Sequence, residues 1–346
     1  MRAAGLDRGA RTDFLGDAIP AGAADVSDLP RSGLKGAAIA LAAFGLYSTH
    51  DVEVKFLGGV YTPFHIIFFS VLFSFPLATL MLMRDPVSGN LRPVHPWWTA
   101  LRTVAGVLSG LSGFYAFTVL PMAQVYAILF SAPLLISVLS IPILGERLGL
   151  HRWVAVVLGL IGVLVVLRPG TVELSLGHIS ALTAALTSAV VAVVVRKIGR
   201  DERSAVLMLY PMMANFALMG AILPRVYVPM PIEHLGLLAV MSLLGFTAGL
   251  GVIAAYRSGD AAVVAPMQYS QILWAAGFGV LIFDEYGDRF TWLGAGIVIA
   301  SGLYIVLRER RGGASRVTPV LTTRTRFESA TGPRFGLLFR PRQPPQ

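Results

Sequence analysis

The sequence predicts an all-α polytopic membrane protein whose ten transmembrane helices form a 5+5 inverted repeat. Three observations carry that expectation. Of the 346 residues, 55% are hydrophobic and only 14% charged, with a mean hydropathy of +0.71, which excludes an ordinary water-soluble domain. Long apolar runs recur along the chain, separated by short charged or Pro/Gly-rich breaks. Finally, the second half repeats the first. Gly145-Glu146, Trp153 and the stretch from Gly162 to Arg168 return as Asp284-Glu285, Trp292 and the stretch from Gly302 to Arg308. An odd number of crossings per copy sets the second copy upside down relative to the first, the plan of many secondary carriers.

Taken in order, the first copy supplies runs at 34–57, 61–83, 97–118, 121–144 and 151–168, and the second at 177–195, 204–223, 234–256, 261–283 and 290–307. Each is about the length that crosses ~30 Å of hydrocarbon at ~1.5 Å per residue, and backbone in lipid satisfies its own hydrogen bonds as helix. The first run is the most polar, with His50, Asp51, Glu53 and Lys55 toward its end. Asp51 and Lys55 lie four apart on one face and are expected to neutralise each other. Glu53, turned by about 200° from Asp51, is expected among headgroups or solvent.

The second run encloses Pro76, and the third carries Gly106 and Gly110, a GxxxG pair repeated by Gly245 and Gly249 in the eighth. Such pairs let helices approach closely within one protomer. The fourth run holds Gln124, Tyr126, Ser131 and Pro133, and the ninth holds Pro266, Gln268, Tyr269, Gln271 and Trp274. Their prolines remove backbone donors and favour kinks, while amides beside aromatic rings suit a polar cavity. Glu146 and Glu285 close the fourth and ninth runs at equivalent positions, where structural hydrogen bonding is expected in preference to proton coupling.

Charge tests the count independently. With ten crossings, 24 of the 28 Lys and Arg residues fall in the tails and on one side, and only Lys55, Arg168, Arg225 and Arg289 on the other. The positive-inside rule makes both termini cytoplasmic. The expected organisation is a disordered tail over 1–33, a first repeat over 34–168, a second over 177–308 and a basic cytoplasmic tail over 309–346, with Arg334 to Arg340 as an alternative lipid-surface segment. The net charge of +9 is spread over rims and tails, so nucleic acid is not an expected partner. There is no cysteine, and no phosphate loop, HExxH, GxSxG or GxGxxG motif. The chain alone is therefore not expected to hydrolyse ATP or to act as an enzyme.

The stretch Tyr115-Ala116-Phe117-Thr118-Val119-Leu120-Pro121-Met122-Ala123-Gln124, with Pro133 and Gly145-Glu146-Arg147, resembles the first-copy signature of the drug/metabolite transporter superfamily, EamA type. Ala255-Tyr256-Arg257 and the run from Ala261 to Tyr269, through Asp284-Glu285, resemble the second. The departure is Asp284, where the family commonly has glycine. Asp51 and Lys55 with Arg102-Thr103 are similar to the branch containing S-adenosylmethionine and riboflavin uptake carriers, although Phe68 and Ser70 stand where many relatives have an arginine.

The resemblance implies a helical basket around a central cavity, alternating access and a small organic metabolite, amino acid or drug as substrate. Export is the first expectation, uptake of the riboflavin or S-adenosylmethionine type the alternative, and a non-transporting receptor a third. Candidate substrate-binding residues are Asp51, Lys55, Gln124, Tyr126, Ser131, Gln268, Tyr269, Gln271 and Trp274. No cofactor or metal is expected. The expected partners are the substrate, the bilayer and either a proton or a counter-solute. The expected setting is the bacterial cytoplasmic membrane.

Overall fold

A computed structural model describes residues 29–83, 91–146, 148–170, 173–199, 201–258 and 261–311. Most of the two expected tails lies outside these residues, including Arg334 to Arg340. The described residues form helices α1 (Leu29–Gly58), α2 (Pro63–Met83), α3 (Pro96–Val119), α4 (Met122–Leu129), α5 (Ala132–Leu144) and α6 (Leu150–Leu167) in the first half. The second half forms α7 (Leu176–Ile198), α8 (Ser204–Val226), α9 (Ile232–Ser258), α10 (Ala261–Val264), a 3₁₀ turn (Ala265–Tyr269), α11 (Ser270–Phe283) and α12 (Arg289–Arg311). Eight expected runs correspond to one helix each. α1 starts at Leu29, inside the segment expected to be a disordered tail.

The fourth and ninth runs are interrupted. α4 ends and α5 begins around Phe130 and Ser131, just ahead of Pro133, and α10 passes into a 3₁₀ turn that contains Pro266. Each proline lacks an N–H and its ring clashes with the carbonyl four residues back, which disfavours regular α-helix at these points. Pro76, by contrast, is carried inside the continuous α2.

Among the described residues, seven helical stretches are long and apolar enough to cross a membrane by length and composition. The crossings left out are α1, α3 and the interrupted α10–α11. α1 contains His50, Asp51, Glu53 and Lys55, and α3 contains Arg102. Charges in a membrane helix face protein or water rather than lipid.

Packing follows the inverted repeat. α1 lies along α9, and their counterparts α7 and α3 lie along each other in the same way. The final helices of the two copies, α6 and α12, are equivalent and run antiparallel. Gly162 faces Gly294 and Ile297, Gly159 faces Ser301, and Ala155 and Ile305 share one apolar cluster. A Cβ on Gly294 would stand 2.5 Å from the Gly162 carbonyl oxygen, so the two backbones touch. At one end of this crossing, the Arg168 guanidinium pairs with Asp288, which also accepts the Thr291 N–H at 2.8 Å and caps α12. Burial raises the Asp288 carboxyl, but the Thr291 hydrogen bonds and the Arg168 charge outweigh it and hold it below the usual carboxylate range.

The two copies are not packed identically. α1 packs against α3, with Gly58 so close to Thr118 that a Cβ would fall 1.9 Å from its methyl carbon. Among the described residues, the equivalent helices α7 and α9 form no such packed pair.

Candidate functional site

Asp51 lies deep in α1, 4% exposed. A carboxylate there is costly unless donors surround it. His50 Nδ1 stands 2.7 Å from Asp51 Oδ1, and the Tyr126 hydroxyl donates to Oδ2. The Tyr126 oxygen in turn accepts from Gln271 Nε2 at 3.3 Å and has Ser48 Oγ 3.5 Å away. Three elements therefore meet: α1, α4 immediately before its break and the first turn of α11. Interrupted helices bring backbone and side-chain polar groups to the membrane interior, where carriers bind their substrates.

Aromatic rings extend from this polar centre. Phe117 and Tyr126 lie 5.4 Å apart, Tyr126 and Phe130 5.7 Å, and Phe130 and Tyr269 5.1 Å, the outer two in edge-to-face contact. On the other side of Asp51, the His50 ring lies 6.2 Å from Phe114 and packs beside Gly245 of α9, where a Cβ would come within 3.4 Å.

Lys55 belongs to a second centre, and its carboxylate partner is Glu285 rather than the expected Asp51. Its ammonium is 2.7 Å from Glu285 Oε1 and donates to the Leu120 carbonyl, also at 2.7 Å. The Leu120 carbonyl follows the end of α3, where backbone oxygens lack intrahelical donors, and Glu285 adds a charge at the same place. A carboxylate one turn back on α1 offers less. Glu285 Oε2 also accepts the Met122 N–H at 3.1 Å. At the equivalent place in the other copy, Glu146 pairs with Arg196. Both glutamates thus make ion pairs between helices of different copies.

The remaining candidates divide. Gln124 holds His178 Nε2 at 2.9 Å, and His178 completes the cap of α7 with Ser175, so this amide serves the helix start. Ser131 is buried at the α4–α5 break, and its hydroxyl has no hydrogen-bond partner among the described residues. Tyr269 packs against Phe130 and directs its hydroxyl at Gly302 of α12. Gln268 is half-buried one residue earlier. Trp274 is 42% exposed beside Gly45. Glu53 is half-buried, not set among headgroups or solvent as expected, because α2, α3, α9 and α11 all pack on α1. The structure thus groups Asp51, Tyr126 and Gln271 and adds His50 and Ser48, neither of which was among the candidate binding residues. Their signal was proximity to Asp51 in a helix otherwise rich in alanine and leucine.

The two halves of this architecture each match one family. The EamA-like transporter family matches residues 34–168 and again 175–307. The chain belongs to the EamA-like transporter family. This transporter is 26% identical over 269 residues to an S-adenosylmethionine uptake transporter of Rickettsia prowazekii, covering 78% of the chain and 91% of that relative. It is 24% identical over 244 residues to a riboflavin transporter of Rhizobium johnstonii, covering 70% and 79% respectively. A solved crystal structure superposes with a TM-score of 0.54 at 19% identity, over 82% of the transporter and 99% of that chain, and shares the fold. The protein is a multi-pass membrane transporter.

Proposed function

We propose that the transporter takes up a small organic cation bearing a ring system, of the S-adenosylmethionine type, by alternating access. The observation that carries this reading is Asp51, a buried carboxylate at the meeting of two interrupted helices, with a path of aromatic rings leading away from Tyr126. A sulfonium or ammonium suits the carboxylate, and a heterocycle suits the rings. We favour uptake over export because relatives matching over most of their length are named for S-adenosylmethionine uptake. A proton or counter-solute gradient supplies the driving force. The one-sided distribution of Lys and Arg supports a bacterial cytoplasmic membrane with both termini inside.

The test is flux in proteoliposomes with labelled S-adenosylmethionine, riboflavin and neutral adenosine in parallel. The cation should be taken up, and Asp51→Asn should reduce its apparent affinity about thirtyfold or more, the equivalent of ~2 kcal/mol for truncating one partner of a buried charge pair. Undiminished cation flux in Asp51→Asn removes Asp51 from recognition. Riboflavin flux without cation flux assigns the carrier to the flavin class instead.

A further inference from the structure

The two inter-repeat ion pairs are equivalent contacts in different states of completion. Glu285 closes α11 and meets Lys55 near the end of α1. Glu146 follows α5 and meets Arg196 near the end of α7. Both bases open the same pattern, Lys55-Phe56-Leu57-Gly58 and Arg196-Lys197-Ile198-Gly199. Both glutamates follow a residue in the left-handed region, Gly145 at φ 72° and Asp284 at φ 55°. Each pair therefore ties the first crossing of one repeat to the fourth crossing of the other, and inversion places the pairs at opposite ends of the bundle.

At the Lys55 end the contact is complete. Glu285 uses both oxygens, one for Lys55 and one for the Met122 N–H that opens α4. Lys55 also bonds the Leu120 carbonyl, and Gly58 is pressed on Thr118. At the Arg196 end Lys197 bonds the Ile143 carbonyl at 2.7 Å, but the carboxylate contact is half made. Glu146 Oε1 holds Arg196, but Oε2 is buried without a hydrogen-bond partner among the described residues, as is one Arg196 guanidinium nitrogen. The position equivalent to Met122 is Ala261, the first residue of α10, and among the described residues α7 and α9 are not a closely packed pair. A buried carboxylate oxygen with no donor is unfavourable, so Glu146 Oε2 is free to accept a further donor.

We propose that Glu285 and Glu146 are the two latches of alternating access. In this structure Glu285 is engaged and the Lys55 end is shut. In the opposite state Glu146 Oε2 takes the N–H at the start of α10, α7 closes on α9, and Glu285 gives up Met122. The latches require two states but no particular substrate, so they stand or fall apart from the cation reading.

Because the chain has no cysteine, single probes can report each end. Thr118→Cys sits at the Lys55 end and Ser258→Cys at the Arg196 end. Labelling by a membrane-impermeant maleimide is followed in vesicles of both orientations. Glu285→Gln should raise labelling at Thr118→Cys and lower it at Ser258→Cys, each by about tenfold, the shift expected from losing ~1.5 kcal/mol of charged hydrogen bonding. Lys55→Met should act like Glu285→Gln. Glu146→Gln should move both probes the other way. Opposite responses to the two glutamine variants support the latch. Labelling that rises at both ends, moves the same way in both variants or stays unchanged overturns it.

Discussion

Asp284 shows how one backbone angle explains a departure from the family pattern. Gly145 and Asp284 occupy equivalent left-handed C-caps, at φ 72° and φ 55°. Glycine adopts this region freely, whereas a side chain is strained there, aspartate less than most. Asp284→Gly should therefore stabilise the protein by ~0.5–1 kcal/mol and Gly145→Ala destabilise it by about 1 kcal/mol. Thermal unfolding in detergent checks both, and equal midpoints for the two variants would defeat the argument. At this scale the sequence was legible only in part. Asp51, Tyr126 and Gln271 stand out because polar side chains in apolar helices need partners. Which partners they find was not, because Asp51 and Tyr126 are 75 positions apart. The i,i+4 rule suggested Lys55 for Asp51, but Glu285 and the Leu120 carbonyl compete for the same ammonium from two other helices.

Among the elements, the crossing of α6 over α12 is the tightest test of packing. A Cβ on Gly294 would meet the Gly162 carbonyl oxygen and the Val166 side chain, both at 2.5 Å, whereas one on Gly296 meets nothing within 4 Å. Gly294→Ala should lower stability by ~1–3 kcal/mol through overpacking. Gly296→Ala, on the same helix, should be neutral or raise it by up to about 1 kcal/mol. If the unfolding midpoints of the two variants coincide, the backbones do not touch as described. Helix positions were legible because hydrophobic run length and proline placement act locally. The interruptions near Pro133 and Pro266 follow the same local rule, while the unbroken α2 through Pro76 shows that surrounding helices decide whether a proline bends or breaks a crossing.

For the whole molecule, the unequal distribution of basic residues predicts orientation. Reporters fused before Lys35 and after Arg308 should both signal the cytoplasm, and one placed in the 168–177 connection should signal the opposite side; termini on opposite sides would refute ten crossings. The repeat itself was readable because Gly145-Glu146 and Asp284-Glu285 anchor it, but the interleaving of the halves was not, since α1 on α9 and α3 on α7 are contacts between copies. That interleaving also shapes the protein's birth. Lys55 enters the bilayer long before Glu285 has been synthesised, and at ~5–20 residues per second the delay is roughly ten to fifty seconds. Through that interval the Lys55 ammonium waits for a carboxylate partner that has not yet been made. The first half is thus exposed to the membrane's insertion and quality-control machinery until the ninth crossing arrives, and the speed of translation sets how long that exposure lasts.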